Sequence, residues 1–309
     1  MLAILTNERF SDPGWIFERK LDGVRCLAFR NGSRITLLSR NRANKNATYP
    51  ELIEPLRQQR IGDFIVDGEV VAFQGRRTSF SKLQQRMGAT TLEGARRSGV
   101  PVFYYVFDLL YLNGFDTTAL SLRDRKRLLE DAFAFRDPVR LSQHWNTYGE
   151  RYYARACHAG WEGLIAKRAD SSYQHQRSGD WLKFKCGNQQ ELVIGGFTSP
   201  GGSRVGFGAL LVGYYDNGQL RYAGKVGTGY DTETLRRLGA RLSRLKQARP
   251  PFTDEAQIHE RNVTWVKPSL VAEVAFTEWT PDGKLRHPRY LGLRSDKPSR
   301  EVIREQSTA

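Results

Sequence analysis

Lys20 lies inside Glu18-Arg19-Lys20-Leu21-Asp22-Gly23-Val24-Arg25, a polar turn that follows the apolar run Trp15-Ile16-Phe17. A lysine amine can act as a covalent nucleophile once its surroundings lower its pKa, because the ammonium form has no lone pair to attack with. Arg19, Arg25 and a bound divalent metal could supply such surroundings. The same residues fit a solvated lysine on a β-turn, since Leu-Asp-Gly is an ordinary turn signal. Two carboxylates extend the possibilities. Glu69 lies between the apolar segments Phe64-Ile65-Val66 and Val70-Val71-Ala72-Phe73, where an unpaired charge is costly, so it is expected to face a polar cleft or to cap a hairpin. Glu162 opens the short apolar strand Gly163-Leu164-Ile165-Ala166. In Trp181-Leu182-Lys183-Phe184-Lys185, strand alternation puts Lys183 and Lys185 on one face. Two ammonium groups so placed repel unless an anion lies between them, and a phosphate is the natural one.

Positioning these groups falls to a β-rich chain. Trp15-Ile16-Phe17-Glu18 reads as the strand that delivers Lys20. Val24-Arg25-Cys26-Leu27-Ala28-Phe29 and Ile35-Thr36-Leu37-Leu38 form a hairpin about Asn31-Gly32. Helices are expected over 51–59, 79–86, 122–135 and 148–159. In the third of these the run Arg123, Arg125, Lys126, Arg127 reads as a solvated face. The aromatic strand Val102-Phe103-Tyr104-Tyr105-Val106-Phe107 reads as core. Beyond a boundary at Gly187-Asn188, short strands interrupted by a helix over 231–246 fit an OB-fold barrel. The fold class expected is therefore α+β, with domains 1–187 and 188–309.

The chain has 309 residues, enough for two cores, and 39% of them are hydrophobic. No run approaches the roughly 18 apolar residues that a membrane span requires, and no signal peptide opens the chain, so a cytoplasmic protein is expected. The formal net charge of +15 is spread over both halves, which suits a polyanion gripped between two domains. Cys26, Cys157 and Cys186 show no Cys-x-x-Cys pairing, so neither structural zinc nor a disulfide framework is expected.

Taken in order, these segments resemble the ATP-dependent DNA ligases of the covalent nucleotidyltransferase superfamily, and within them the ligase domain of bacterial end-joining ligase D proteins. The resemblance runs from Met1 to about Pro298. It implies an adenylation domain followed by an OB-fold domain. It makes Lys20 the nucleophile and puts Glu18, Arg25, Arg40, Glu69, Phe107, Arg177, Lys183 and Lys185 around ATP or AMP. In this scheme Phe107 stacks on the purine, Glu18 reads the adenine edge, and Arg25 links the AMP phosphate to the nick. Glu69 and Glu162 become ligands of Mg²⁺ or Mn²⁺, an oxygen-liganded ion. Arg286-His287-Pro288 and Arg294-Ser295-Asp296-Lys297 resemble a segment that orients pyrophosphate, so Arg286, Arg294, Asp296 and Lys297 are assigned there.

The activity implied is sealing of 3′-hydroxyl/5′-phosphate nicks in duplex DNA, in repair or end joining, by a monomer with repair proteins as further partners and no membrane. Closure of the OB-fold domain over ATP and reopening about Gly187-Asn188 would separate adenylation from sealing. No amino-terminal DNA-binding domain is expected before Met1-Leu2-Ala3, so the grip on DNA is expected from two domains. RNA ligases and mRNA capping guanylyltransferases use the same lysine and remain alternatives. A silent DNA-binding module would need the basic barrel but not Lys20, Glu69, Glu162 and Lys183 together.

Overall fold

The computed structural model of the chain describes residues 1–202 and 204–305. Ser203 and residues 306–309, which the expected second domain includes, lie outside the described residues. The chain separates into two compact units, Met1–Cys186 and Gly187–Glu305.

Two large sheets and a two-stranded one, Phe73–Gln74 with Arg77–Thr78, build the first unit. One has five strands in the order Leu2–Leu5, Arg177–Lys185, Gly163–Arg168, Trp15–Arg19 and His144–Asn146. The other runs Val139–Leu141, Phe103–Leu112, Phe64–Val71, Val24–Asn31 and Arg34–Ser39, with Phe115–Asp116 paired to the Phe103–Leu112 strand. Pairing is antiparallel except at Leu2–Leu5 and Val139–Leu141.

Register decides what each face carries. In the first sheet Glu18 pairs with Ile165 and Ile165 with Lys183, while Ile16 pairs with Lys167 and Lys167 with Trp181. Directly paired residues point to the same side, so Glu18, Ile165, Lys167, Trp181 and Lys183 share one face. The intervening Phe17, Leu164, Ala166 and Phe184 form an apolar cluster on the other. In the second sheet Arg25, Glu69 and Tyr105 form one row. Alternate residues Val24, Cys26, Val66, Val70, Tyr104 and Val106 enter the larger core of this unit.

Ser79 and Ser121 cap the helices Phe80–Met87 and Leu122–Ala132, their side chains accepting hydrogen bonds from the amides of Lys82 and Asp124. The expected 51–59 helix is a 3₁₀ turn, Pro50–Leu52, followed by Ile53–Arg57. A helix at Leu92–Arg97 was not among the expected elements.

Two expectations are overturned. The basic run on the Leu122–Ala132 helix is a solvated face only at Arg123 and Arg127, which are exposed. Arg125 is fully buried against Asp108, and Lys126 is buried against Glu18, each with a carboxylate that offsets its desolvation. Cys157 and Cys186, 29 residues apart, form a disulfide between the helix Gly149–His158 and the end of the Arg177–Lys185 strand. Cys26 is a buried thiol.

The second unit is a five-stranded antiparallel sheet in the order Gln219–Val226, Leu210–Asp216, Asn188–Thr198, Val263–Phe276, Arg289–Arg294. A bridge between Thr228 and Arg289 joins its two edges, so the sheet closes into a barrel. Its interior holds Leu192, Ile194, Val212, Val226, Ala272 and Val274, and the helix Thr232–Ser243 adds Leu235, Leu238 and Leu242. Among the described residues no helix is long and apolar enough to cross a membrane.

Candidate nucleotide site

Between the polar faces of the two sheets of the first unit lies a cleft of about 160 Å³, walled by Glu18, Lys20, Ile165, Lys167 and Trp181 from one sheet and by Arg25, Glu69 and Phe107 from the other. Ala3, Arg19, Leu21 and Ser142 complete it.

The loop that carries Lys20 is pinned at several points. The Lys20 amide donates to the Gly163 carbonyl at 2.9 Å. The Asp22 carboxylate accepts from the Phe80 amide at 3.1 Å, and the Asp22 amide donates to Thr78 Oγ1 at 3.2 Å. Gly23 closes the loop because a Cβ there would stand 2.2 Å from the Val70 carbonyl oxygen. Gly163, at φ +147°, permits the same kind of approach, since its Cβ would meet the Phe184 carbonyl. These contacts fix the Lys20 side chain, whose Nζ donates to the Glu162 carboxylate.

Phe107, nearly buried, presents its ring to the cleft, and Ile165 belongs to the opposite wall. A planar base between a ring and an aliphatic side chain would be held by its faces. Lys167 lies against this wall, with Nζ 4.3 Å from the Phe107 centroid and 4.1 Å from that of Trp181. Glu18 is buried, with Lys126 Nζ at 2.6 Å and Lys167 Nζ at 2.8 Å from its Oε1. Neither ammonium is aligned as a hydrogen-bond donor to that oxygen, while Oε2 accepts from the Ser142 hydroxyl at 3.0 Å. Burial works against the Glu18 carboxylate, but the two lysines outweigh it and hold its pKa below the usual range. Burial pulls Lys167 down to about 8, against the attraction of Glu18.

Arg25 is engaged on all sides. It grips buried Asp67 through Nε at 3.0 Å and Nη2 at 2.5 Å, and also donates to the Tyr173 hydroxyl and the Met1 carbonyl. Burial opposes its charge, yet Asp67 raises its pKa above the ordinary arginine value. The guanidinium is therefore a fixed wall element.

The expected residues thus gather unequally. Glu18, Lys20, Arg25, Glu69 and Phe107 line the cleft, and Glu162 reaches it through Lys20. Lys183 and Lys185 stand on the same sheet face but outside the cleft wall. Arg40 is exposed just after the Arg34–Ser39 strand, and Arg177 is exposed with its Nη1 on the Ala3 carbonyl at 2.7 Å. In the second unit Arg294 is half-buried and clamps Glu273 at 2.9 Å and Asp296 at 2.8 Å. Lys297 pairs with Glu191 at 2.7 Å, and Arg286 with Glu278 at 2.5 Å.

Lys167, Trp181, Ile165 and Ser142 were not foreseen as site residues. Alternation from Lys183 back to Trp181, and from Ile165 on to Lys167, carried the signal for three of them. Ser142 follows the edge strand Val139–Leu141 and had none.

A divalent cation fits the donors present. Among the described residues no three His, Cys, Asp or Glu side chains gather to hold a metal ion, so the protein offers the carboxylates Glu69 and Glu162. That small oxygen donor set suits Mg²⁺, which keeps waters and takes substrate phosphate oxygens.

Comparison with known proteins fits this arrangement. The family profile described as ATP dependent DNA ligase domain matches residues 1–185, and that described as ATP dependent DNA ligase C terminal region matches 203–297. The chain is 37% identical over 295 residues to the multifunctional non-homologous end joining DNA repair protein LigD of Mycobacterium tuberculosis, covering 94% of this chain and 37% of the relative. LigD of Pseudomonas aeruginosa is 36% identical over 299 residues, covering 94% of this chain and 35% of the relative. The chain therefore spans little more than a third of the length of these relatives. Among solved structures, a mycobacterial DNA ligase D complexed with ATP and MES is 34% identical, covers 98% of both chains and superposes with a TM-score of 0.67. With matched segments running through both units, and with a lysine-bearing cleft between two sheets ahead of an OB-fold barrel, the chain belongs to the ATP-dependent DNA ligase family.

Proposed function

We propose that this chain seals nicks between 3′-hydroxyl and 5′-phosphate ends in duplex DNA, using ATP and a lysyl-AMP intermediate. The observation that carries the reading is the Lys20 amine, held by Glu162 at a cleft whose walls suit a purine. In the first step the Lys20 nitrogen, which Glu162 holds at the cleft, forms a bond to the α-phosphorus as the bond to pyrophosphate breaks. A 5′-phosphate oxygen of the nick then attacks the same phosphorus and releases Lys20. Finally the 3′-hydroxyl attacks the activated 5′-phosphate and AMP departs. Splitting the condensation in this way gives each step a good leaving group.

Phe107 and Ile165 would hold the base, and Arg25 and Glu69 lie on the side where ribose and phosphate would sit. Lys183, Lys185 and Arg177 would offset phosphate charge, with Arg40 near the ribose, the phosphate or the DNA end. Glu69 and Glu162 would hold Mg²⁺ or Mn²⁺, which neutralises charge on the phosphate oxygens when bound. Arg286, Arg294, Asp296 and Lys297 would serve pyrophosphate departure, as the resemblance of their segment implies. The adenylation domain spans 1–187 and the OB-fold domain 188–309 in this reading. The protein would act as a monomer in the bacterial cytoplasm, on chromosomal DNA and with end-joining or repair proteins.

Sealing of a duplex with a single 5′-phosphorylated nick, in ATP and Mg²⁺, tests the reading. Ligated product from DNA but none from an equivalent nicked RNA is expected. Product from RNA alone would move the chain to RNA ligation, and a covalent guanylate formed with GTP would move it to capping chemistry.

A further inference from the structure

A second, larger cavity of about 470 Å³ opens beside the nucleotide cleft and shares Arg19, Leu21 and Ser142 with it. It lies within the first unit and begins on the flanks of the Lys20 loop. None of the steps above uses it.

One wall is a layered stack. The Arg19 guanidinium lies 4.5 Å from the Trp161 centroid. Trp161 stacks on Trp145 at 6.1 Å and 18°, and Trp145 stacks on Tyr152 at 4.8 Å and 20°. The facing wall is Tyr105 and Arg140, whose guanidinium lies over Phe103 and donates to the Tyr105 hydroxyl at 2.9 Å. Arg136 and Gln143 are exposed lining residues.

Charge is unbalanced in this cavity. Three guanidinium groups line it against one carboxylate, and that carboxylate, Asp137, is already spent on Arg140 at 2.5 Å. Arg19 Nε and Nη2 are buried without a hydrogen-bond partner. The exposed Arg136 guanidinium attracts an anion, and the half-buried rims of Trp145 and Trp161, with Tyr105 opposite, offer a flat ring an apolar surface. Gln143 adds a donor and an acceptor suited to a base edge. A planar ring carrying a phosphate satisfies all of these at once, and the volume falls within the range of small-molecule sites.

We propose that this cavity is a second nucleotide subsite, which holds one unpaired nucleotide of the DNA end on which Lys20 acts. The assignment rests on the ligase reading of the first site. Its position next to Lys20 puts such a nucleotide close to the strand being joined, while the base of ATP occupies the other cleft. Free nucleotide offers the same chemistry, so the test separates the two sources.

The full chain, pre-adenylated and kept without Mg²⁺, is titrated with two nicked duplexes. In one, 2-aminopurine is paired beside the nick; in the other it is a single unpaired nucleotide there. The unpaired probe is expected to bind at least about five-fold more tightly, the low end of what stacking one base provides, with quenched fluorescence. Arg136→Ala and Trp145→Leu should each bring that preference below about two-fold while binding of the paired duplex and labelling of Lys20 stay as in wild type. Arg136 is exposed, so its variant carries the test if Trp145→Leu fails to fold. Equal binding of the two duplexes by the wild type, or a preference that survives both variants, would overturn the subsite. Displacement of the unpaired probe by millimolar AMP would reassign the cavity to free nucleotide and overturn the DNA assignment. Failure of the ligase reading would look different: no Lys20 adduct, and no binding of either duplex.

Discussion

The Lys20 ammonium is bound to the carboxylate of Glu162, a residue 142 positions away, through the antiparallel pairing of Trp15–Arg19 with Gly163–Arg168. Both side chains are largely buried, so the attraction between them is screened far less than on a surface. The pair holds the amine in place at the cleft.

Glu162→Gln keeps the size and an acceptor oxygen but removes the charge. Adenylate formation is expected to fall by roughly 100-fold or more, and ATP binding in Mg²⁺ by less, since the hold on the amine and one carboxylate for the metal are lost together. Single-turnover labelling with ATP, set beside equilibrium ATP binding, measures both. Unchanged labelling would remove Glu162 from the adenylation step.

The Glu18 carboxylate is the shared partner of two buried lysines, Lys126 and Lys167. Glu18→Gln leaves both ammonium groups buried without a counter-charge. Breaking a buried pair in this way costs roughly 3 to 5 kcal/mol. Denaturant unfolding should report that loss, and a loss under about 1 kcal/mol would mean that water reaches these lysines.

The lysine turn, the two glutamates and the Lys183/Lys185 alternation were legible because each lies in or directly beside a short strand with apolar neighbours. The pattern of the second half likewise gave an OB-fold barrel. Arg125 and Lys126 were not legible, since four basic residues in five positions look solvated on any helix. Their carboxylates, Asp108 and Glu18, lie on other elements, 17 and 108 residues away. Local pattern contains no trace of such pairings. The Cys157–Cys186 bond, between a helix and a strand end, was hidden for the same reason.

Glu191 offers a pH signature in the barrel. Burial opposes its charge, but Lys297 and Arg294 prevail and bring its pKa from 4.5 to about 2. The folded state therefore holds fewer protons than the unfolded state between those values. Its stabilisation is complete above pH 4.5 and disappears as pH falls toward 2, for a total of roughly 3 kcal/mol. Glu191→Gln should be less stable than wild type at pH 7, and the difference should shrink steadily below pH 4.5. A difference that is constant with pH would remove the charge from the account.

Lys297 tests the assignment of the last segment. Arg294 is a poor probe because its clamp on Glu273 and Asp296 supports the barrel itself. Lys297→Ala removes one ion pair, with Glu191, at a cost to the barrel that Glu191→Gln measures separately; the folded variant should lower adenylation by ATP about tenfold while sealing of a pre-adenylated nick falls less than about twofold. Equal loss of both would assign Lys297 to DNA binding or folding.

The central claim is that Lys20 forms the covalent adenylate. The chain is incubated with α-labelled ATP and Mg²⁺, denatured and resolved by size. The wild-type protein is predicted to carry label that survives alkali and is released by acid, as a phosphoramidate does, and folded Lys20→Ala is predicted to carry none. A folded Lys20→Ala protein labelled through the same linkage would contradict the account.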